Sequence, residues 1–364
     1  MKELSKEDKV RFRKNLSNWY NENYRKLPWR STKNPYKIWL SEIILQQTRI
    51  QQGLNYYNKF LQHYPRIEDL ANASEDAILK DWQGLGYYSR ARNLHHAAKQ
   101  IMQEHKGEFP DNYSEIRKLK GVGDYTAAAI ASFSFNLPYA VVDGNVYRFL
   151  SRYFGIDTPI DSTHGVKYFK NLAQELIDPK NPSLHNQAMM EIGAIVCTPK
   201  KTRCSSCPFV VKCSAYRLNK VELLPVKLKK LKQNRRYFHY LLLEHNETII
   251  IKKREEKGIW QNLYDFPLIE STGKRKTKAE IDQLLDATFQ YKSDFELVHI
   301  SEQRKHVLSH QIILARFYHM KLKNTTQPTN NYLIINRNEL KQFAIPRLID
   351  KYLIEETNLL SLDN

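Results

Sequence analysis

The four cysteines of this 364-residue chain all fall within the 17 positions from Cys197 to Cys213. Their spacing is C-x6-C-x2-C-x5-C, with Cys204 and Cys207 as the one close pair. Two disulfides in so short a loop would stabilise a chain of this length very little, and structural zinc sites favour two paired C-x2-C knuckles. One close pair with two more distant thiolates suits a cubane cluster, in which each of four irons takes one thiolate. The spacing therefore favours a 4Fe-4S cluster, with zinc or disulfides as the alternatives.

The net charge of the chain indicates what kind of partner it binds. There are 57 Lys and Arg residues against 39 Asp and Glu, which gives a formal net charge of +18. Such an excess favours nucleic acid or an anionic membrane, although a lysine-rich proteome would give the same balance. No stretch approaches the ~20 apolar residues of a membrane-spanning helix, and the charged start MKELSKEDKVRFRKN lacks the apolar core of a secretory signal. We therefore expect a cytoplasmic, nucleoid-associated protein with reduced cysteines.

Two different periodicities divide the chain. Over residues 1–222, apolar side chains recur at three-to-four spacing, for example in residues 38–52, which indicates helices. Residues 237–364 instead contain short runs such as YFHYLLLE and HQIILARFYHM, which are typical of strands. The basic segment LLPVKLKKLKQNRR, residues 223–236, is interpreted as a linker. The chain is thus predicted to be a multidomain protein, with a mainly α domain followed by an α+β domain.

A glycine-rich turn lies between two predicted helices of the first domain. It reads LKGVGDYTAAA, with Gly121 and Gly123 on either side of one apolar residue. Both glycines permit a tight hairpin with positive φ, and backbone N–H groups at the start of the next helix can then hold a phosphate without reading sequence. A G-V-G turn alone could join any two helices, but the longer motif is much more specific. It predicts a helix–hairpin–helix element.

Together with a downstream Val142-Asp143 and the cysteine loop, this hairpin resembles the endonuclease III superfamily of DNA glycosylases. Within that superfamily the chain resembles the MutY family, adenine DNA glycosylases that remove adenine mispaired with 8-oxoguanine. The resemblance covers nearly the whole chain and is strongest over residues 27–215. The motifs that carry it are LPWR at 27–30, SEIILQQT at 41–48, GLGYYSR at 84–90, VDGNV at 142–146 and NQAMME at 186–191. The resemblance implies a two-lobed helical catalytic unit with DNA across its cleft.

Two carboxyl groups, those of Glu42 and Asp143, are the candidate catalytic groups. Cleaving an adenine–sugar bond needs a neutralised leaving base and a stabilised oxocarbenium charge, as in glycoside hydrolysis. Glu42 borders the apolar face of its helix, so burial would raise its pKa and keep it protonated as a general acid; a solvated glutamate is the alternative. Asp143 lies just before a predicted helix, which it would also cap. The resemblance implies that Glu42 protonates N7 of the flipped adenine and that Asp143 stabilises the oxocarbenium ion or forms a transient covalent adduct.

Tyr125 and Asn145 are implied to orient these carboxyl groups and the attacking water. Tyr125 also distinguishes members of the superfamily, because bifunctional relatives carry a Schiff-base lysine at the matching hairpin position. Tyrosine cannot form a Schiff base with the sugar. The chain is therefore expected to be a monofunctional glycosylase, and an endonuclease III-type pyrimidine glycosylase with lyase activity is the alternative.

The resemblance also implies a set of contacts to the DNA and to the oxidised base. Side chains of this set wedge into the duplex and fill the stack that base flipping vacates. The candidates are Arg30, Gln47, Thr48, Leu85, Tyr87, Gly121, Gly123, Ser309 and His310. A surface arginine is the alternative for Arg30, a core residue for Tyr87 and a structural histidine for His310.

The second domain, residues 237–364, resembles the Nudix-like domain of the MutY family. The fragment GIWQNLYDFP at 258–267 matches Nudix proteins, but their catalytic box, with its R-E-x-x-E-E metal cluster, is missing from the next 30 residues. We therefore expect no pyrophosphohydrolase activity. The segment VLSHQ matches the loop that senses 8-oxoguanine, with Leu308 where some relatives carry Phe. An 8-oxoguanine-recognition domain is implied.

These observations predict an adenine-specific DNA N-glycosylase of base-excision repair with a 4Fe-4S cluster on its four cysteines. Its substrate would be double-stranded DNA containing A:8-oxoG or A:G mispairs, and the protein is expected to be a monomer with no membrane partner. A hypothesis of another class is a non-catalytic, DNA-binding iron–sulfur protein that senses damage or redox state. The presence of both Glu42 and Asp143 argues against it, because binding alone does not require two carboxylates in a cleft that faces a polyanion.

Overall fold

A computed structural model of the chain describes residues 5–228, 233–271, 276–288, 295–323 and 332–357. Its contacts divide the chain into two compact units. The first comprises Met1–Asn72 and Asn93–Lys229, and the second comprises Ala73–Arg92 and Lys230–Asn364. The division predicted from sequence placed residues 73–92 with the rest of the helical region, so the structure differs in grouping them with the C-terminal part.

Helices make up most of the first unit, and a few lie in the second. In chain order, the α-helices of the described stretches are α1 (Lys6–Asn23), α2 (Pro35–Ile44), α3 (Ile50–His63), α4 (Ile67–Asn72), α5 (Glu75–Asp81), α6 (Ser89–Glu104), α7 (Tyr113–Lys118), α8 (Asp124–Phe135), α9 (Gly144–Phe154), α10 (Thr163–Leu176), α11 (Pro182–Ile195), α12 (Ser214–Arg217), α13 (Lys278–Thr288) and α14 (Arg347–Tyr352). Of these, α5, α13 and α14 lie in the second unit. Short 3-10 helices lie at Pro28–Arg30, Cys204–Ser206, Val210–Lys212 and Arg337–Gln342, and a π-helical turn lies at Leu353–Thr357. Within the described part of the chain, no helix is both long enough and apolar enough to span a membrane.

Polar side chains set where several of these helices begin. Ser5, Asn34 and Ser74 each accept a hydrogen bond from the backbone N–H three residues further on, at the starts of α1, α2 and α5. Asn112 and Ser162 do the same for α7 and α10. Such caps satisfy N–H groups that have no partner within the helix, and each typically stabilises a helix by about 1 kcal/mol. These helix starts are therefore local properties of the sequence.

The core of the first unit is built around α9. This helix buries Val146, Phe149 and Leu150 at three-to-four spacing against α1, α10 and α11. Phe12 of α1 packs on Phe149 and Phe209, with ring centroids 6.2 and 5.0 Å apart, and Phe149 lies 5.2 Å from Phe209. Aromatic rings at these distances bury large apolar areas and attract one another. The cluster thereby fixes α1 and the cysteine segment to α9.

Residues 38–52, where the apolar spacing indicates helical structure, are divided between two helices by a turn. α2 ends at Ile44, α3 begins at Ile50, and Gln47 between them has a φ of 55°. A left-handed conformation is costly for a residue other than glycine and persists where surrounding contacts enforce it. Leu45 and Ile50 both line one pocket, so the helix-like spacing of apolar residues continues through the turn. The sequence pattern therefore does not reveal the turn.

A mixed β-sheet is the centre of the second unit, as the predicted α+β domain requires. Its strands are β1 (Asn234–His245), β2 (Thr248–Lys253), β3 (Tyr264–Asp265), β4 (Leu268–Ser271), β5 (Phe295–Ile300), β6 (Arg304–Val307), β7 (Gln311–Leu322) and β8 (Tyr332–Asn336). The order is β3-β2-β1-β7-β5, with β4 on β1, β6 on β7 and β8 on β2. The long strands β1 and β7 pair in parallel, and the other pairs are antiparallel. Helix α13 buries Ile281 and Leu285 in a core with Leu241 and Met320.

Residues 73–92 belong to this unit because polar contacts join them to the sheet domain. Lys253 Nζ donates to Asp76 of α5 at 2.7 Å, and Lys80 Nζ donates to the Phe343 carbonyl at 2.9 Å. A helix as short as the seven residues of α5 is not stable by itself and depends on its tertiary partners. The sequence pattern, which reports only helicity, does not show with which unit such a helix packs.

The predicted linker, residues 223–236, differs from the structure at both ends. Hydrogen bonds of 2.9 Å hold the Leu224 carbonyl and the Leu228 N–H on the first unit. At the other end, β1 begins at Asn234. Residues 229–232 lie outside the described residues. The basic composition indicates that a boundary between domains lies here. It does not give the ends of the linker, because composition does not show which backbone groups form hydrogen bonds.

Candidate active site

A cavity of about 610 Å³ opens in the first unit, and elements far apart in the sequence line it. The turn after α2, the start of α8, the start of α9 and one face of α11 all contribute to its walls. The sequence-predicted residues that line it are Arg30, Glu42, Gln47, Thr48, Tyr125, Asp143 and Asn145. The fold therefore brings all four predicted catalytic residues to one pocket within one unit.

Glu42 lies in this pocket as a buried acid. Its side chain is on α2, the residue is 7% exposed, and the Tyr125 hydroxyl donates to its Oε2 at 2.8 Å. Burial raises the pKa of Glu42 to about 7; the Tyr125 hydrogen bond opposes this shift and the charge of Asp143 adds to it. A carboxyl with a pKa near neutrality can hold a proton at physiological pH and still release it to a substrate.

Asp143 caps α9, as the sequence predicts. One carboxyl oxygen accepts from the backbone N–H groups of Asn145 and Val146 at 2.9 and 2.8 Å. The other accepts from the side-chain amide of Asn145 at 2.7 Å. Burial raises the pKa of Asp143 above its usual value, and these N–H donors counter that effect by favouring the carboxylate. Both oxygens are thus held in fixed directions beside the pocket.

A chain of hydrogen bonds runs from Asp143 to the first cysteine. Asn145, which donates to Asp143, accepts from Arg148 at 2.9 Å. The Arg148 guanidinium also donates to the carbonyls of Cys197 and Gly193, at 2.6 Å in each case. Burial lowers the pKa of Arg148, whose carbonyl and amide partners satisfy its donors. The side-chain amide of Asn145 is therefore oriented by Arg148, which also contacts the backbone at Cys197.

Glu191 is a pocket residue to which the sequence reasoning assigned no role. Its carboxylate is fully buried and accepts four hydrogen bonds, three from Arg25 at 2.9, 2.7 and 2.7 Å and one from Arg30 at 2.6 Å. Burial would raise its pKa, but these bonds lower the pKa to about 2. Since a carboxylate has about four acceptor positions, Glu191 is saturated and fixes the two arginines.

The position of Arg30 follows from this network. Its side chain is 13% exposed, which places it in the pocket wall and excludes the alternative of a surface arginine. The motif NQAMME contained Glu191, but nothing local pairs that residue with arginines 166 and 161 positions earlier. Only the packing of α11 beside the segment before α2 brings them together.

The predicted hairpin has one left-handed glycine rather than two. Gly121 has a φ of 77°, and a Cβ there would lie 2.6 Å from the Cβ of Asn93, so both the backbone and the space require glycine. Gly123 has a φ of −91° and is instead the N-cap of α8. The expectation of positive φ is therefore correct for Gly121 and wrong for Gly123. The free N–H groups at the start of α8 remain available for a phosphate.

The four cysteines surround a small cavity of about 30 Å³ in the first unit. All four are free thiols, so the structure gives no support to the disulfide alternative. The other walls are mostly apolar side chains, including Phe149 and Phe209, and the Arg152 guanidinium donates to Cys197 Sγ at 3.5 Å. No group of three or more His, Cys, Asp or Glu in the part of the chain that the structure describes is placed to hold a metal ion. Four thiols around one mostly apolar cavity are nevertheless the donor set that a cubane cluster takes.

In the second unit, two of the predicted lesion contacts meet. Tyr87 lies in the loop before α6 and is 44% exposed, which excludes the alternative of a core residue. Its hydroxyl shares a hydrogen bond with the hydroxyl of Ser309, which lies in the turn between β6 and β7. His310 follows in the same turn with an exposed side chain, and its carbonyl accepts from the Asn234 N–H at 3.0 Å. Leu85 is only 7% exposed.

Comparison with known proteins identifies the class of this fold. Residues 40–179 match the family model of the HhH-GPD superfamily base excision DNA repair proteins, and residues 239–355 match that of the NUDIX domain. A solved thermostable thymine-DNA glycosylase is 30% identical, with a TM-score of 0.55, and the match covers 59% of this chain and 100% of that one. A solved endonuclease III–DNA complex has the same fold at 20% identity, with a TM-score of 0.51 and coverage of 60% and 99%. The helix–hairpin–helix fold and its carboxyl-lined pocket thus define a base-excision DNA glycosylase.

Sequence relatives narrow this class. The adenine DNA glycosylase of Buchnera aphidicola subsp. Baizongia pistaciae (strain Bp) is 40% identical over 264 residues, which are 70% of this chain and 73% of that protein. The adenine DNA glycosylase of Mus musculus is 43% identical over 218 residues, which are 57% of this chain and 42% of that protein. The chain belongs to the adenine DNA glycosylase family. The MutY-type resemblance and the Nudix-like second domain predicted from sequence are confirmed.

Proposed function

We propose that this protein removes adenine mispaired with 8-oxoguanine, and also with guanine, from double-stranded DNA, without cutting the strand. The observation that carries the proposal is the difference between the two carboxyl groups of the pocket. Glu42 has a pKa of about 7, whereas three N–H donors hold both oxygens of Asp143. One protonated and one ionised carboxyl are what acid-assisted cleavage of a glycosidic bond requires.

Glu42 is the general acid in this proposal. Adenine is a poor leaving group as an anion, and a proton on N7 lets it depart as a neutral base. The Tyr125 hydroxyl occupies one oxygen of Glu42, which leaves the other for the base. Burial raises the pKa of Tyr125 well above its usual value, so this hydroxyl stays neutral and keeps donating.

Asp143 stabilises the positive charge that develops on the sugar as the base leaves. A carboxylate already fixed in direction needs no reorganisation when that charge appears, which is the basis of electrostatic catalysis. Asn145 fixes one of its oxygens, and Arg148 in turn fixes Asn145. Water then attacks the oxocarbenium ion, or releases the sugar from a transient covalent adduct with Asp143.

Absence of strand cleavage follows from the nucleophiles that the pocket offers. A lyase step needs an amine that forms a Schiff base with the sugar. The pocket side chains that the structure describes include Arg25, Arg30 and Tyr125 but no lysine. Arginine stays protonated and tyrosine has no amine, so we assign a monofunctional glycosylase.

The four cysteines are proposed to hold a structural 4Fe-4S cluster. Cys197, Cys204, Cys207 and Cys213 supply one thiolate for each iron, and their mostly apolar surroundings keep water from such a centre. A bound cluster would fix the loop that carries several cations, which can then contact DNA phosphates. These cations are Lys200, Lys201, Arg203 and Lys212.

Recognition of 8-oxoguanine is assigned to Tyr87 and Ser309, whose hydroxyl groups share a hydrogen bond in the second unit. Gln47 and Thr48 in the pocket of the first unit are proposed as DNA contacts. The lesion differs from guanine at N7, which is a donor instead of an acceptor, and at C8, which carries an oxygen. The Ser309 hydroxyl can accept from N7–H while it keeps its hydrogen bond to Tyr87, because a hydroxyl makes up to three bonds. One polar group left unpaired against guanine costs about 1–3 kcal/mol, which is up to about a hundredfold in discrimination.

Incubation of the protein with duplexes carrying A:8-oxoG, A:G, A:C and thymine glycol, followed by alkali, tests the proposal. We expect alkali-dependent breaks confined to the adenine strand, formed fastest in the A:8-oxoG duplex. Cleavage at thymine glycol without alkali would instead identify a pyrimidine glycosylase with lyase activity. Tight binding to every duplex without any excision would identify a non-catalytic DNA-binding protein.

A further inference from the structure

The loop that carries Tyr87 has an unusual backbone conformation. Gly84, Gly86 and Tyr87 have φ values of 93°, 77° and 47°. A free chain rarely places three of four consecutive residues in the left-handed region, and for tyrosine this region is costly. Contacts from outside the loop must therefore hold it in this shape.

Arg90, near the start of α6, supplies several such contacts. Its guanidinium lies 5.5 Å from the ring centroid of Tyr87 and 5.2 Å from that of Trp82, within cation–π range of both. One of its terminal nitrogens donates to the Gly86 carbonyl at 3.2 Å. Arg90 is 8% exposed, and burial lowers its pKa to about 10, so the group remains charged at neutral pH. A buried cation thus restrains both the backbone of the loop and the ring of Tyr87.

Tyr87 in turn restrains the side chain of Ser309 through a hydrogen bond. The two hydroxyl groups share a hydrogen bond although the residues are 222 positions apart. A serine hydroxyl without such a bond rotates freely, and it can then donate to N7 of guanine as easily as it accepts from N7–H of 8-oxoguanine. When the Ser309 hydroxyl donates to the Tyr87 hydroxyl, its proton is no longer available to guanine and its oxygen can only accept, which favours N7–H of 8-oxoguanine.

We propose that Arg90 is a positioning residue for the recognition of 8-oxoguanine, which acts through Tyr87 to orient the Ser309 hydroxyl. The inference rests on the proposed function of Ser309 as a contact of the lesion. Its physical basis is the planar guanidinium, which can face an aromatic ring and donate to a carbonyl at the same time. A lysine ammonium is a point charge without that fork and can replace only part of the restraint.

The test measures single-turnover excision of adenine from A:8-oxoG and A:G duplexes by full-length protein. We expect Arg90→Met to lower the ratio of the two rates by about 5- to 30-fold, mainly by slowing excision opposite 8-oxoguanine. Arg90→Lys should give an intermediate ratio. The matched control is Arg92→Met, two positions further along α6, where the guanidinium donates to the Gln261 carbonyl at 2.8 Å. Its ratio should stay within about twofold of the wild type, because the hydrogen bond that this substitution removes is to Gln261 and not to the loop of Tyr87.

A double variant separates positioning from general stability. If Arg90 acts through Ser309, then Arg90→Met should lower the ratio very little further in the Ser309→Ala background. Fully additive losses, or an unchanged ratio in Arg90→Met, would overturn the inference. If Arg90→Met does not fold, as judged by lost A:G excision and lost cooperative melting, Arg90→Lys in both backgrounds decides the question by the same criteria. A wild-type protein that excises adenine without preferring 8-oxoguanine would overturn the proposed function itself.

Discussion

At the scale of single residues, the two carboxyl groups of the pocket differ in the balance between burial and hydrogen bonding, and this balance sets their pKa values. Glu42 is on the same helix as the buried Ile38 and Ile43, and burial raises its pKa to about 7. Asp143 is also buried, but N–H donors of the Asn145 backbone and side chain counter that effect. In the proposed mechanism, a proton donor and a charge stabiliser thus arise from two groups of similar intrinsic acidity.

Substitution of Glu42 tests the proton donor. Glu42→Gln should keep the fold and the affinity for DNA but lower the rate of adenine excision by about 10²–10⁴-fold, because an amide cannot supply the proton. Single-turnover kinetics on an A:8-oxoG duplex measure this loss. The control is Glu175→Gln, an exposed glutamate of α10 that should keep the wild-type rate. A Glu42→Gln rate close to that of the control would mean that Glu42 is not the acid.

The pH dependence of excision tests the raised pKa. A general acid works in its protonated form, so the rate should fall about tenfold per pH unit above the Glu42 pKa of about 7. The Tyr125 hydrogen bond lowers the pKa of Glu42. In Tyr125→Phe the decline should therefore begin at a higher pH, whatever the change in the maximal rate. A wild-type rate that stays constant up to pH 9, measured under single-turnover conditions, would contradict the prediction.

At the scale of structural elements, the hairpin contains two glycines with different requirements. Gly121→Ala should destabilise the protein by about 2–4 kcal/mol, because an alanine there combines a left-handed backbone with a Cβ 2.6 Å from that of Asn93. Gly123→Ala should cost at most about 1 kcal/mol, since its φ of −91° suits any residue and nothing lies within 4 Å of the added Cβ. Thermal melting compares the two variants. Equal shifts in Tm would show that Asn93 or the backbone adjusts at no cost.

The cysteine segment is the second element whose role can be measured directly. Purified protein should be brown and contain about four irons per chain, one for each thiolate of the cluster. Cys207→Ser should lose iron and melt at a lower temperature, whereas Ser205→Ala, an exposed position in the same segment, should keep both properties. Metal analysis after anaerobic preparation decides between the alternatives. Stoichiometric zinc without iron would contradict the cluster.

At the scale of the whole molecule, we propose that the first unit carries out catalysis and that the second contributes to the recognition of 8-oxoguanine. A protein truncated after Leu228 keeps the cysteines, the hairpin and both carboxyl groups, so it should still excise adenine. Without Ser309 it should lose up to about a hundredfold of its preference for 8-oxoguanine over guanine. The same truncation removes the partners of Asp76 and Lys80, so residues 73–92 should become sensitive to limited proteolysis.

Full-length Ser309→Ala is the control for this truncation. It should lose the preference for 8-oxoguanine but keep residues 73–92 resistant to protease, because α5 retains its contacts with the sheet domain. Rate ratios for A:8-oxoG and A:G, together with mass spectrometry of the proteolytic fragments, distinguish the two proteins. An unchanged ratio in both would assign discrimination to Gln47, Thr48, Leu85 and Tyr87, which both proteins retain.

The sequence by itself determined the features that depend on near neighbours. Thiol spacing over 17 residues, the glycine turn at Gly121, the cap at Asp143 and the change from helical to strand periodicity are all readable locally. The physical reason is that helix repeats, caps and strand alternation involve groups at most a few residues apart. Motif resemblance then identified the family and the pocket residues that those motifs contain.

Only the tertiary structure decided which distant groups meet. It paired Arg25 with Glu191 across 166 positions and Tyr87 with Ser309 across 222, and it placed α5 with the sheet domain. It also placed a turn at Gln47, where apolar residues on both sides face one pocket. None of these contacts leaves a periodic signal in a single sequence. They form because packing makes neighbours of groups that are far apart along the chain, and buried charges and hydroxyl groups then take the partners that the folded environment offers.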